Sequence, residues 1–260
     1  EKVIKDLRKL KDDENVKAVV LRVNSPGGSA YGSEQIWYAV NQLKKEKPVI
    51  VSMGDYAASG GYYIACNADT IVAEPTTLTG SIGIFGMFPN VKGLTDKIGL
   101  KFDVVKTNQY ADFGALGRPM NDGEKSLMQM YVNQGYDLFL TRCSDGRDIT
   151  KEELDKIAQG RVWTGSTAKE LGLVDELGGL DKALDIAINK AGIEGGYTVM
   201  SYPTKKGFFE SLMETRPDNY VKARILNGKI GEYYKPFSIL ENFDKCERLQ
   251  ARIPFELNIQ

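Results

Sequence analysis

Short runs of apolar, often β-branched residues alternate along the chain with longer segments whose apolar positions recur every three or four residues. Runs of the first kind predict strands, and segments of the second kind predict amphipathic helices. The predicted strands are 16–23, 48–53, 70–75, 81–88 and 101–107. The predicted helices are 31–45, 60–68, 91–99, 122–143, 150–160, 166–171 and 179–191. Strands separated by helices predict an α/β fold with parallel strand pairing.

The pattern changes near residue 195, where the chain becomes polar and aromatic. A helical segment is predicted over 204–226, and the alternation in ARIPFELNIQ predicts a terminal strand over 251–260. We therefore expect a domain over 1–194, followed over 195–260 by a C-terminal appendage that packs on this domain or on a neighbouring subunit. The first residues resemble the middle of a charged helix, so we expect the chain to be a piece of a longer protein.

Composition excludes several classes of binding partner and of functional site. The chain has 260 residues and a net charge of −1, so no nucleic-acid partner is expected. No window approaches 18 consecutive apolar residues, so no membrane span is predicted in this sequence. The three cysteines, Cys66, Cys143 and Cys246, lack metal-ligand spacing. We expect neither a metal nor a cofactor.

A proline and two glycines follow the first predicted strand directly, in VNSPGGS at 23–29. Pro26 fixes one backbone angle, and Gly27 and Gly28 accept backbone conformations that other residues resist. Such a turn can expose a backbone N–H that no side chain covers, as an oxyanion hole requires. An ordinary tight turn uses the same residues, so this motif alone leaves both interpretations open.

A lone serine, Ser59, lies among small residues where the strand at 48–53 gives way to the helix at 60–68. A nucleophile at such a junction lies on a sharp turn, and the N–H of Gly60 is a natural second oxyanion donor. Residue 57 is alanine, so the spacing differs from the Gly-x-Ser-x-Gly elbow. Ser59 is therefore a candidate nucleophile or, alternatively, an N-cap.

The chain contains no histidine, which excludes a Ser-His-Asp triad built from these residues. The remaining common base for a serine is a neutral lysine. Burial favours that neutral form because desolvation disfavours the ammonium.

Three sequence blocks, at 21–29, 55–86 and 160–179, resemble the signal peptide peptidase A family of the Clp protease/crotonase superfamily. The resemblance extends over about residues 1–192. It implies a crotonase- and Clp-protease-like α/β superhelix of repeated β-β-α units, with a helical and extended C-terminal tail. It also implies a serine endopeptidase with a Ser–Lys dyad, which degrades leftover signal peptides and other short apolar peptides.

The resemblance assigns roles to individual residues. It makes Ser59 the nucleophile, gives the oxyanion N–H groups to Gly28 and Gly60, and makes Ser81 the serine that orients the lysine base. The position that corresponds to the lysine holds Ala111 instead, so this chain has a nucleophile without its matched base.

Lys106 lies five residues before the alanine, but its place in the predicted strand at 101–107 indicates an ordinary strand-end lysine. Three origins of the alanine remain open. The first and favoured one is that the chain is the C-terminal half of a long, tandem member, whose N-terminal half contributes the lysine. The second is an engineered Lys-to-Ala change in a short member, and the third is a naturally inactive homologue.

The substrate is expected to be an extended peptide that pairs with the predicted strand at 81–88. The predicted substrate-binding residues are Gly27, Ile82, Gly83 and Ile84, although core packing also explains the apolar side chains among them. The resemblance further implies a homo-oligomer, a tetramer in the tandem form. It also implies a bacterial cytoplasmic membrane location, with an anchor absent from this chain and the catalytic domain facing the periplasm.

Two other classes of function remain open. Crotonase-fold acyl-CoA hydratases and isomerases use similar paired N–H groups to hold a thioester oxygen, and they need a carboxylate near the site. An interaction module without chemistry would use Ser59 only as a helix cap.

Overall fold

The structure, a computed structural model, describes residues 1–203 and the strand at 249–252. Within these ranges the helices are α1 Lys2–Asp12, α2 Ala30–Lys44, α3 Gly60–Ala65, α4 Lys92–Lys97, α5 Asp122–Arg147, α6 Lys151–Ile157, α7 Gly165–Glu170 and α8 Leu180–Lys190. The strands are β1 Val19–Ser25, β2 Gly27–Ser29, β3 Val49–Ala58, β4 Thr70–Ala73, β5 Leu78–Gly80, β6 Phe85–Gly86, β7 Val162–Thr164, β8 Glu176–Leu177 and β9 Leu249–Arg252.

Strand β3 is the centre of a six-stranded mixed sheet with the order β7-β5-β3-β4-β8, to which β1 adds by pairing with β3. The first half of β3 lies between β1 and β4, and its second half pairs with β5, all in parallel. Strand β8 joins β4 in parallel, whereas β7 joins β5 antiparallel. The long strand therefore carries the chain from the body of the sheet to the edge where Ser59 follows.

Successive residues of β3 face opposite sides of the sheet, as the strand period of two requires. Ile50 packs with the α8 residues Ala183 and Ala187 on one side. Val51 and Met53 belong to the largest core cluster, which includes residues of α3, α5, α6 and α7. A strand covered by helices on both faces is apolar throughout, which explains the continuous run at 48–53.

Two predicted strands differ from the structure. The segment 81–88 contains only the short strand β6, and the segment 101–107 has no strand. The apolar side chains of Phe102, Val104 and Val105 are exposed, the last of them at 98%. Alternating apolar residues form a strand only where a neighbouring strand and a core accept them, and this segment has neither.

A second, three-stranded sheet has the order β2-β9-β6 and is antiparallel. It brings part of the predicted C-terminal appendage onto the main domain through β9. The helix predicted at 204–226 and the rest of the terminal strand predicted at 251–260 lie outside the described residues. No helix in the described ranges combines the length and apolar character needed to cross a membrane.

Candidate active site

Ser59 lies between the end of β3 and the start of α3, as the sequence predicts. Its backbone has φ +52° and ψ −114°, a conformation that non-glycine residues rarely adopt. The N–H of Ser59 donates to the carbonyl of Gly80 at 2.8 Å, which holds the turn against the end of β5. Positive φ at a serine costs on the order of 1–3 kcal/mol and recurs at functional sites, because the surrounding structure must enforce it.

The hydroxyl of Ser59 is buried, with 1% of the residue exposed, and its Oγ has no hydrogen-bond partner in the described part of the chain. Ser59 also makes no side-chain capping bond to α3, although it occupies the N-cap position. The interpretation of Ser59 as a helix cap is therefore wrong. A buried hydroxyl without a partner is unfavourable for stability, so packing alone does not account for a serine at this position.

The glycine turn at 26–28 lies directly beside this junction. Ser25, at the end of β1, pairs with Ala57 of β3, and its Oγ accepts from the N–H of Gly27 at 3.2 Å. Gly27 has φ +102°, a conformation that requires glycine. The structure therefore brings the predicted oxyanion turn close to the predicted nucleophile.

Gly61 allows α3 to lie this close to the glycine turn, a role that the sequence pattern does not predict. A Cβ at Gly61 would lie 2.6 Å from the carbonyl oxygen of Ser25, so any side chain there would push α3 away from the turn. An added Cβ at Gly28, by contrast, would meet no atom within 4 Å. The open side of Gly28 is compatible with an exposed N–H, as the oxyanion role requires.

Ser81 follows Gly80, whose carbonyl accepts from the N–H of Ser59 at 2.8 Å. It is buried and also has positive φ, at +49°, and its N–H donates to the carbonyl of Arg161 at 2.7 Å. Two serines with left-handed backbones thus lie at the ends of the neighbouring strands β3 and β5. This placement agrees with the predicted role of Ser81 beside the nucleophile.

Two tyrosines fix the helix α3 that follows Ser59. The hydroxyl of Tyr62 donates to the carbonyl of Leu173 at 2.9 Å, and that of Tyr63 donates to Glu34 at 2.6 Å. Arg142 of α5 pairs with the same glutamate at 2.6 Å. Burial raises the pKa of both tyrosines, so they stay neutral donors. Tyr63 thereby holds α3 against α2 and α5, and Tyr62 holds it against the segment between α7 and β8.

The predicted substrate-binding residues have different surroundings. Gly27 lies in β2, at the edge of the turn. Ile82 is buried in the largest core cluster, and Ile84 packs against that cluster from a half-buried position. Gly83 lies against the backbone of Gly160. Core packing therefore accounts for the side chain of Ile82, and its part in substrate binding stays a prediction.

Ala111 lies exposed in a turn between α4 and α5. The neighbouring Asp112 binds Arg118, whose guanidinium also forms two bonds to Glu124, at 2.6 and 2.7 Å. These bonds to Arg118 lower the pKa of Asp112 and bring that of Glu124 down to about 2. The turn that holds the alanine is therefore anchored by ionised side chains.

Lys106 lies between α4 and α5, in a segment without a strand. The prediction that it stands at the end of a strand is therefore wrong. Its side chain is 42% exposed, and its Nζ contacts Asp112 at 3.1 Å. Lys106 thus lacks the burial that a neutral lysine base requires. No group of three His, Cys, Asp or Glu side chains that could share a metal ion occurs in the described ranges.

About three quarters of this chain is similar in sequence to known proteins. The chain is 50% identical over 189 residues to "Protease 4" of Haemophilus influenzae, covering 71% of this chain and 29% of that protein. It is 40% identical over 194 residues to "Serine protease SPPA, chloroplastic" of Arabidopsis thaliana, covering 74% and 29%. It is 35% identical over 192 residues to "Putative protease slr0021" of Synechocystis, covering 74% and 69%.

Two family profiles match parts of the chain. The Clp protease profile matches residues 1–77, which together with the mixed sheet confirms the predicted Clp-protease-like α/β fold. The profile of peptidase family S49 matches residues 41–194, more than half of the chain, and this range includes Ser59, Gly60 and Ser81. This chain therefore belongs to peptidase family S49.

Proposed function

We propose that this chain carries the nucleophilic half of a serine peptidase. One observation carries the proposal: the hydroxyl of Ser59 is buried, unpartnered in the described part of the chain and held on a strained turn. Ser59 attacks the peptide carbonyl, and the N–H groups of Gly28 and Gly60 stabilise the oxyanion that forms. Membership of family S49 favours this chemistry over that of an acyl-CoA hydratase.

The base comes from outside these 260 residues, from the N-terminal half of a tandem polypeptide. Three observations support this. Ala111 stands at the position of the lysine, Lys106 is exposed and bound to Asp112, and the described part of the chain offers Ser59 no partner. The chain also spans only 29% of the length of the Protease 4 relative, so a larger protein has room for a second half. Ser81 then orients the incoming lysine.

The substrates are leftover signal peptides and other short apolar peptides. They bind in extended form, and small or apolar residues precede the cleaved bond, because the glycine turns and the segment 81–88 beside Ser59 present small and apolar groups. The complete protein assembles as a homo-oligomer, a tetramer of the tandem form. It is anchored in the bacterial cytoplasmic membrane with the catalytic domain on the periplasmic side. The resemblance to signal peptide peptidase A supports these statements.

The chain alone tests the origin of the base. Purified by itself, it is expected to be folded but nearly inert on a peptide with small apolar residues, since a serine without a base is a weak nucleophile. Adding the N-terminal half, covalently or as a separate chain, should give cleavage that rises as pH passes the pKa of the incoming lysine. Ser59→Ala in the same mixture is the control and should abolish cleavage.

Two outcomes would contradict this origin of the base. Serine-dependent cleavage by the isolated chain would show that the base lies within it, and Lys106 would be the first residue to replace. Activity created in the isolated chain by Ala111→Lys alone would favour an engineered alanine over a tandem partner.

A further inference from the structure

The C-terminal strand β9 lies between two strands that flank the candidate active site. On one side it pairs antiparallel with β2, the strand of the glycine turn. On the other side it pairs antiparallel with β6, which lies within the predicted substrate segment at 81–88. β2 and β6 are not neighbours in this sheet, since β9 separates them.

The space that β9 fills has the width of a single extended chain. Neighbouring strands are about 4.8 Å apart, so the backbones of β2 and β6 lie about 10 Å from each other. With only three and two residues, these strands are too short to form a stable sheet alone. Without an occupant, each would present unpaired N–H and C=O groups to this space, which is the situation that favours addition of a peptide strand.

The register places β9 at the reacting groups. Ala251 is opposite Gly28, the proposed oxyanion donor, and Arg252 is opposite Gly27. Strand β9 also lies against α3, the helix that begins directly after Ser59.

We propose that residues 249–252 bind in the peptide cleft as an internal pseudo-substrate, in the place of an extended substrate chain. The proposal rests on the proposed peptidase function, because it takes the space between β2 and β6 to be the substrate cleft. It predicts that β9 contributes to the burial of Ser59, of which 1% is exposed, and that Ser59 becomes accessible when β9 leaves. A peptide from outside must displace β9 before it reaches Ser59.

The need to displace β9 weakens the apparent affinity of the cleft for a substrate peptide. A peptide binds only the fraction of molecules in which the cleft is open, so its apparent Kd equals the intrinsic Kd divided by that fraction. If β9 occupies the cleft in nine of ten molecules or more, its removal strengthens peptide binding at least about tenfold.

The test measures binding and needs no base, so it is independent of whether the chain cleaves peptides. The probe is a fluorescein-labelled peptide with the sequence of residues 247–253, Glu-Arg-Leu-Gln-Ala-Arg-Ile. Its affinity is compared between the intact chain and a chain that ends at residue 248. A peptide with prolines in place of the central Gln-Ala is the control, because proline lacks the N–H that strand pairing uses.

A double variant in the intact chain, Gln250→Pro with Ala251→Pro, removes two strand N–H groups and guards against misfolding of the shortened chain. Asn258→Pro is its matched control outside β9. The shortened chain and the double variant are expected to bind the probe at least about tenfold more tightly than the intact chain and the control variant.

Amide hydrogen exchange locates the effect. Amides of 27–29 and 85–86 should exchange faster in the shortened chain and regain protection when the probe is added. The proposal would be overturned if all folded chains bind the probe with equal affinity. It would also be overturned if the shortened chain is folded but does not bind the probe. Unchanged exchange at both β2 and β6 after the truncation would also overturn it. Failure of the N-terminal half to restore cleavage would instead contradict the proposed origin of the base.

Discussion

Replacing Ser59 with alanine should raise the stability of the chain while removing the proposed nucleophile. The hydroxyl is buried and has no hydrogen-bond partner in the described residues, so no bond is lost when it is removed. Serine and alanine differ by one oxygen, so the change leaves no cavity of consequence. Both residues carry a Cβ, so the positive φ at this position is equally strained before and after.

The expected magnitude follows from the cost of an unsatisfied buried group, about 1–3 kcal/mol. Ser59→Ala should therefore increase the free energy of unfolding by an amount in that range. The matched control is Ser52→Ala in β3, the strand that leads to Ser59, because Ser52 is fully buried but accepts a bond from Arg22 at 2.6 Å. Loss of a bond to a charged donor should lower stability by about 1.5–3 kcal/mol.

Urea denaturation of the isolated 260-residue chain measures both changes, provided that the slope m is the same in the three chains. Thermal unfolding gives a second measure, at about 2–4 °C per kcal/mol for a domain of this size. The two variants should move stability in opposite directions. If Ser59→Ala destabilises the chain as much as Ser52→Ala does, the hydroxyl of Ser59 makes a structural bond, and the argument from its lack of a partner fails.

Two further predictions concern the supports of the site. Gly61→Ala places a Cβ 2.6 Å from the Ser25 carbonyl oxygen, where ordinary contact begins at 3.4 Å, so α3 and the glycine turn must separate by about 0.8 Å. We expect Gly61→Ala to lose about 1–3 kcal/mol of stability and about 10²-fold of activity in the assembled enzyme. The control is Gly93→Ala, whose Cβ meets nothing within 4 Å. Equal effects from both variants would contradict the reasoning. Arg118 brings the pKa of Glu124 from 4.5 down to about 2, so this ion pair stabilises the fold above pH 4.5 and loses its contribution as pH falls toward 2. The stability difference between the native chain and Arg118→Gln, measured by urea denaturation, should therefore shrink over that interval, and a difference that stays constant would contradict the assigned pKa.

The sequence predicts the β3–α3 junction correctly because an apolar run, then small residues, then a second apolar segment is typical of a strand that leads into a helix. It cannot distinguish a capping serine from a nucleophilic one, since both occur at the same position with the same neighbours. The distinction depends on where the hydroxyl of Ser59 finds a partner, which only three-dimensional packing determines. The positive φ of Ser59 and Ser81 is likewise set by the strands that hold them.

The strands that the sequence does not predict correctly are very short, or they depend on pairing with a neighbouring strand. β5, β7 and β8 have only two or three residues, which is too few for a periodic pattern. For the segment 101–107 the error is the opposite one. Its alternating apolar residues predict a strand, but among the described residues it has no neighbouring strand to pair with. Of the terminal strand predicted at 251–260, the structure describes residues 251 and 252, which belong to β9 at 249–252 and pair with β2.

The features of Ser59 suggest how activity is coupled to assembly. The strained turn and the hydroxyl, which has no partner among the described residues, cost free energy in this chain whether or not a base is present. In the proposed function, the nucleophile is thus positioned before the base arrives. The close packing at Gly61 and the bonds of Tyr62 and Tyr63 supply the rigidity that maintains it. A prepared serine without a base is nearly inert. If the base comes from the other half, as proposed, its lysine gives the hydroxyl a partner and completes the dyad in one step, and the proposal then predicts that only the assembled enzyme cleaves peptides.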